Sequence, residues 1–556
     1  MAMIVSIFND VIGPVMRGPS SSHCAAALRI GRLARDLMDA QFNEVLVEFD
    51  RKGSLPATHE TQGSDMGLCG GLLGWDAADQ RLPGAAQALC DAGVTVRIET
   101  VDAGDPHPSI YRLTLRRPGE ERSLVAVSSG GGMIEVIAVD GFEVSMFGDC
   151  CETLLWVEGE GRELARQLAD SMSAGEILLH QSAGRQLVEV KAAEFVSDAA
   201  VVELRRNFAV RTVKRLSPVL PVLSRKGMTA PYTTCAEMLR KDAGQGKPLW
   251  KLAVEYEMAR GGLSAAEVLA KMADIVRILR RSIRQGIAGT HYDDRVLGHQ
   301  CGRFDDLMQA GRLLDGGALN RIVLYVSALM EVKSAMGLIV AAPTAGACAA
   351  LPGSVVAMAE AMGQDEEAMA QAMLAGGLIG VFIAARWTFA AEVGGCQAEA
   401  GSAASMAAAA LVTLAGGTLA QALAAASMAL QNMLGLICDP VANRVEVPCL
   451  GKNVMAAGNA LATANMALAG YDPVVPLDEV IETAQRVAVQ MPRELRCTAL
   501  GGLAISRASL AVAHTLADKK AASCGSGRHA SEPPPSATSG LKPATPAPAS
   551  GRGPLP

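Results

Sequence analysis

Two groups of residues in this 556-residue chain combine reactive side chains with backbone breaks that can expose them. The first is a set of cysteines. Cys438 and Cys449 bracket the run CDPVANRVEVPC, and Cys396 lies upstream in Gly394-Gly395-Cys396-Gln397. Each sits beside or close to Gly or Pro, where the chain leaves regular structure and a thiolate can be aimed away from helix packing. Three such thiolates could hold an iron–sulfur cluster and leave one iron open, the arrangement a Lewis acid needs. The same spacing fits three small buried hydrophobes equally well, because free Cys is among the most buried residue types and there is no CxxC pair. Zinc fits less well, since no His lies near these cysteines in sequence.

The second group is a pair of small-residue loops. Arg17-Gly18-Pro19-Ser20-Ser21-Ser22-His23 places three hydroxyls and an imidazole at the mouth of a helix. Free N–H groups there attract a carboxylate, and His23 could move a proton near neutrality. Ala342-Pro343-Thr344-Ala345-Gly346 opens another helix in a manner suited to gripping a small anion. Taken singly, a Ser N-cap with a surface histidine accounts for the first loop and a plain helix connection for the second.

The elements that must position these groups follow from periodicity. Residues 1–138 mix a helix at Ala25–Gln41 with alternating strands at Glu44–Asp50, Val94–Thr100, Tyr111–Arg116 and Ile134–Ala138, an α+β pattern. Residues 139–205 read as a smaller α+β unit of strand, helix and two strands, 206–227 as a linker, and 228–519 as a large all-α domain of Ala/Met/Leu helices. Residues 520–556, rich in Pro, Ser and Gly, are expected to be a disordered tail.

Composition narrows the function further. Lys and Arg number 50 against 57 Asp and Glu, for a net charge of −7, and aromatics make up 4%. Nucleic acid and anionic membrane surfaces are therefore not expected partners. The uncharged stretch from Ala400 to Cys438 is Ala-rich and broken by Gly and Gln, which reads as packed core helices rather than a membrane span. The opening MAMIVSIFND lacks a basic, then apolar, leader pattern. A cytoplasmic, reducing location is expected, where thirteen cysteines serve as ligands, nucleophiles or core rather than disulfides.

Taken together and in order, GPSSSH, GSL…TH at Gly53–His59, SSGGGMIEV, APTAGACAALPG, GGCQAEAG, NMLGLICDPVANRVEVPC and GGLA at Gly501–Ala504 resemble the iron–sulfur-dependent L-serine dehydratases. The resemblance runs from about Ser6 to Ala504 and implies a β-type domain, an ACT-like domain and a helical α-type domain fused in one chain. It implies that Cys396, Cys438 and Cys449 hold a 4Fe–4S cluster whose fourth iron binds a small amino-acid substrate. Ser20 and Ser21 would bind that substrate beside Ser22 and His23 as catalytic residues, with Thr344, Ala345 and Gly346 holding its carboxylate. A homodimer is also implied.

The chain departs from the family pattern at several points. The histidine expected after GSL is Gln62, a polar run before the first cluster cysteine is replaced by Arg386-Trp387-Thr388, Lys452 stands for an Arg, Cys24 for a Thr, and Arg496-Cys497-Thr498 for Arg-Glu-Thr. Gln62, Arg386 and Trp387 are expected to face substrate, and Cys524 is a candidate cap for an open iron. The reading is a lyase converting L-serine to pyruvate and ammonia. The alternatives are a related lyase acting on threonine, a β-hydroxy acidic amino acid or cysteine, and a catalytically silent cluster-binding protein. No Ser-x-Lys segment with a Gly-rich phosphate loop points to pyridoxal phosphate.

Overall fold

A computed structural model describes residues 4–171, 175–224 and 228–523. The N-terminal region is mixed α/β and the C-terminal region helical. The expected strands form at nearly the expected places, because their alternating apolar residues line one face of a six-stranded sheet. Its strand order is Thr95–Val101, Glu44–Asp50, Ile110–Arg117, Glu120–Gly130, Met133–Val139 and Phe142–Met146, antiparallel except for the first pair. Val45, Val47 and Phe49 on the sheet pack with Ile30, Leu33 and Leu37 of the helix Ala26–Leu37 and Leu68 and Leu72 of the helix Ser64–Leu72. The two helices cross closely: a Cβ on Gly71 would lie 2.0 Å from the Leu28 carbonyl oxygen, and one on Gly67 2.0 Å from that of Cys24. Only glycine permits that approach.

The small unit is larger than expected. Its sheet runs Val210–Leu216, Cys151–Val157, Arg185–Ala192, Gly175–Ser182, all antiparallel, with helices Gly161–Ser171 and Asp198–Asn207. The β-α-β-β-α-β order is that of the split βαβ motif. The segment 206–227, expected as a linker, thus contributes an edge strand. Its sequence VRTVKRL hid this, since a strand with one solvated face and several cations gives little apolar signal.

The helical region is built around Ser402–Leu414, whose Ala-rich surface packs against Glu366–Ala384, Leu419–Gln431 and Cys449–Leu468. Glu366–Ala384 is long and apolar enough to cross a membrane, but most of it is buried inside the protein. The first residues also belong here rather than to the α/β region. Ser6 Oγ donates to Glu257 at 2.5 Å, Arg260 Nε donates to the Ile4 carbonyl at 2.9 Å, and Val15–Met16 pairs with Ile339–Val340. A Cβ on Gly380 would lie 2.1 Å from Val11, so the N-terminal segment plugs a groove in the bundle. The helix Arg507–Ser523 extends slightly past the expected end of the domain. Cys524 and the rest of the tail lie outside the described residues.

Candidate active site

Cys396 follows the short turn Ala391–Gly394, and Gly395 holds φ of 68° there. A side chain at Gly395 would strike the Leu436 carbonyl, 2.9 Å from its Cβ. Gln397 locks this turn to the next cysteine segment: its N–H donates to the Leu436 carbonyl at 2.9 Å and its Oε1 accepts from Gly435 N–H at 2.9 Å. Cys438 is held in turn by donating its N–H to the Leu495 carbonyl at 2.8 Å and accepting from Cys497 N–H at 3.0 Å. Cys449 opens the helix Cys449–Leu468.

These three segments converge. Ligand atoms of Cys396, Cys438 and Glu399 lie within 4.8 Å of one another and are buried. The Cys438 thiol is in hydrogen-bonding contact with Cys396 and with Cys497, which together with burial drives it well above the usual thiol range. Burial likewise raises Cys449, whose charged neighbours are Lys333, Cys396, Glu399 and Lys452. Lys452 Nζ donates to Asp439 Oδ1 at 2.9 Å, to the Ile437 carbonyl at 2.7 Å and toward Cys396 Sγ at 3.6 Å.

The two loops meet at this place. Ala345 N–H donates to Ser21 Oγ at 3.1 Å, and Thr344 Oγ1 donates to Glu399 Oε1 at 2.7 Å while accepting from Ala347 N–H at 3.1 Å. Asn453, one turn beyond Cys449, donates to the carbonyls of Gly346 and Cys449, each at 2.8 Å, and accepts from Ala349 and Ala350 N–H, each at 3.1 Å. The Thr344–Gly346 loop is therefore clamped to the cysteine helix. Ser22 accepts through its carbonyl from Ser128 Oγ at 2.7 Å.

His23 is buried rather than a surface residue. Its Nδ1 lies 3.0 Å from Ser20 Oγ and 3.6 Å from Glu392 Oε1, and its Nε2 lies 2.8 Å from Thr58 Oγ1. Burial, reinforced by His59, pushes its pKa down to about 3, so the imidazole is neutral at physiological pH. Burial pushes the Glu392 carboxyl up to about 7. Glu392 and not His23 is thus the group here that changes protonation near neutrality.

Several residues fall where the sequence did not place them. Arg386, expected to face substrate, ion-pairs with Glu482 and, at 3.6 Å, with Asp478. Its charge is committed to the helix Leu477–Gln490. Trp387 packs on the main core and over Gly394. Gln62 does face the site, donating to Asn443 Oδ1 at 3.1 Å and to Cys497 Sγ at 3.4 Å. His59 does not take its place, being paired with Asp65 at 2.7 Å. Sequence reasoning passed over Glu392, Glu399, Lys333 and Asn453. Only Glu399, three residues after Cys396, carried a usable signal. Lys333 is fully buried, its ammonium makes no hydrogen bond among the described residues, and the thiols of Cys348 and Cys449 and the carboxyls of Glu399 and Glu446 feel its charge.

A mixed α/β region packed against a buried group of thiols in an Ala-rich bundle is the arrangement of a two-part enzyme. Residues 244–504 match the family model described as serine dehydratase alpha chain. The chain is 38% identical over 251 residues to the probable L-serine dehydratase alpha chain of Bacillus subtilis, covering 45% of this chain and 84% of that one. It is 40% identical over 144 residues to the probable L-serine dehydratase beta chain of the same organism, covering 26% and 64%. It is 29% identical over 433 residues to the L-serine dehydratase of Streptomyces coelicolor, covering 76% and 91%. The chain belongs to the L-serine dehydratase family.

Proposed function

We propose that this chain is an iron–sulfur lyase that converts L-serine to pyruvate and ammonia, with Cys396, Cys438 and Cys449 holding a 4Fe–4S cluster. The observation that carries this reading is the meeting of the Cys396 and Cys438 thiols at one buried point, with Cys449 near enough to feel the charge of Cys396, beside the joined small-residue loops. The donor set suits the group. Thiolate sulfur is the protein ligand of such clusters, and the ammonium of Lys333, which makes no hydrogen bond among the described residues, supplies a buried positive charge toward an anionic one.

When bound, a cluster with one iron free of protein sulfur supplies a Lewis acid that makes a substrate hydroxyl a feasible leaving group. The remaining work falls to the chain. Thr344 and the backbone of Ala345 and Gly346 hold the substrate carboxylate, with Ser20 and Ser21 closing over them from the other domain. Gln62 has no titratable proton, so proton movement falls to His23 and Glu392. The neutral imidazole offers an acceptor at Nε2 or Nδ1, and the carboxyl of Glu392, balanced near pH 7, relays the proton. Ser22 sets the turn that aims His23. Closure of the α/β domain excludes water from these groups.

The small unit is read as ACT-like on its β-α-β-β-α-β order, and the assembly as a cytoplasmic homodimer on the resemblance to the family. Gln62 and Cys497 favour one second reading, a related β-substituted amino acid as substrate. Anaerobic reconstitution with iron and sulfide, followed by a substrate panel, tests both. Pyruvate from serine supports the first, 2-oxobutyrate or sulfide points to the second, and full activity with a wild-type-like cluster in Cys438→Ser overturns the ligand assignment.

A further inference from the structure

A second group of metal-ligating side chains shares no residue with the cysteine site. A ring nitrogen of His299, the Cys301 sulfur and a carboxylate oxygen of Glu331 lie within 4.8 Å of one another. Cys301 opens the helix Cys301–Gln309, with His299 two residues before it, and Glu331 belongs to the helix Ala318–Ser334. Two glycines allow the approach. A Cβ on Gly286 would lie 2.4 Å from the Ala328 carbonyl oxygen, so the helix Ala265–Ala288 closes on Ala318–Ser334, and the Gly286 carbonyl accepts from the Cys301 thiol at 3.0 Å. A Cβ on Gly302 would lie 2.9 Å from the His299 ring, so the missing side chain makes room for the imidazole.

Helix capping accounts for only half of Glu331. Its Oε1 accepts from the N–H groups of Gln300 and Cys301, each at 3.0 Å, which satisfies the first turn of Cys301–Gln309. Its Oε2 is buried and has no hydrogen-bond partner among the described residues, and the residue as a whole is 1% exposed. A buried carboxylate oxygen without a donor costs stability until a positive group meets it. The side chains within reach of this carboxylate are a thiol and an imidazole, and all three are ligand types that a borderline divalent cation accepts together.

We propose that His299, Cys301 and Glu331 bind one zinc ion through imidazole nitrogen, thiolate sulfur and carboxylate oxygen, with water in the fourth position. Cys301 and Glu331 are buried and His299 is exposed, so the ion enters and keeps its water on the His299 side. Loading breaks the Cys301 S–H bond, releases the proton to solvent and forms a zinc–sulfur bond with no change of oxidation state. The ion clasps the loop that leads into Cys301–Gln309. That loop is tied to the segment between Cys438 and Cys449, since Val296 and Leu297 N–H donate to Glu446 Oε2 at 3.0 and 2.7 Å and Arg444 Nη2 donates to Asp294 Oδ1 at 2.6 Å. Zinc thus stiffens a loop on which the cysteine segment leans, without joining that segment.

The test adds zinc sulfate to the anaerobically reconstituted full-length protein, removes loosely held metal by desalting, and reads zinc content and zinc K-edge X-ray absorption, which iron does not obscure. The expected result is about one zinc per chain with one sulfur at about 2.3 Å and its other ligands nitrogen or oxygen at about 2.0–2.2 Å. Cys301→Ser should lose the sulfur shell, and both Cys301→Ser and His299→Ala should bind zinc at least about tenfold more weakly in competition with a chromophoric chelator. Two or more sulfurs per zinc place the ion among the other cysteines and overturn the site. Zinc without sulfur, or retained equally by wild type and either variant, is an adventitious ion only and overturns it too, as does a wild-type protein that keeps no zinc. His299 is exposed, so His299→Ala decides the matter should Cys301→Ser fail to fold. Iron content of the same samples reports on the cluster reading separately.

Discussion

The hydroxyl of Ser21 accepts a hydrogen bond from the backbone N–H of Ala345 at 3.1 Å, across 324 residues of sequence. This bond joins the serine loop of the α/β region to the small-residue loop of the bundle, the two segments proposed to enclose substrate. Ser21→Ala leaves the Ala345 N–H without that partner at about 1 kcal/mol. A raised KM for L-serine with a melting temperature lowered by only a few degrees is expected from steady-state kinetics and calorimetry. An unchanged KM would remove the loop contact from substrate binding.

Asn453 satisfies four buried backbone groups, three in the segment from Gly346 to Ala350 and one, the Cys449 carbonyl, in its own helix. Asn453→Ala strands the Ala349 and Ala350 N–H groups and the Gly346 carbonyl, a loss of roughly 2–4 kcal/mol. Urea denaturation measures it, and iron content after reconstitution should fall in parallel because Cys449 loses its clamp.

Glu392 gives a pH signature. The folded protein keeps its carboxyl protonated up to about pH 7, whereas the unfolded chain releases that proton near the ordinary value of 4.5. Its contribution to stability is therefore present below pH 4.5 and is lost as pH rises through 7. Glu392→Gln, which cannot ionise, should gain melting temperature relative to wild type between pH 5 and pH 8. A difference that stays constant over that range would show that the carboxyl is not held protonated.

On the proposed cluster reading, Lys333 should distinguish the metal-free from the loaded protein. A buried ammonium without a hydrogen bond costs stability until an anion compensates it. Lys333→Met should therefore stabilise the metal-free protein by about 1–3 kcal/mol and lower the iron retained after desalting. Thermal denaturation and iron assay read the two effects separately.

How far the sequence reached depends on how local each signal was. Glu44–Asp50 was legible to the residue because alternating Val45, Val47 and Phe49 must face one core. Cys396, Cys438 and Cys449 stood out because glycine and proline beside them mark breaks in helices. Cys497 carried no such mark, since the partner that orients its sulfur, Gln62, is 435 residues away. Arg386 was misread for a related reason. A cation near a site in sequence suggests a ligand for substrate, but its carboxylate partners, Asp478 and Glu482, are also remote in the chain. His23 showed its identity but not its burial, and burial decides its protonation.

The N-terminal plug bears on how the chain reaches this state. Ile4 to Met16 are synthesised before Glu257, Arg260, Val340 and Gly380, the residues they pack against, which follow hundreds of residues later. The bundle groove cannot be filled until the whole α/β region has been made, and only then can the apolar Ile7, Val11 and Ile12 reach the fully buried positions they hold in the fold. Closure of so long a loop is slow and leaves sticky surface exposed meanwhile. The chain should therefore depend on chaperones for soluble yield more than a protein of similar size built from local contacts.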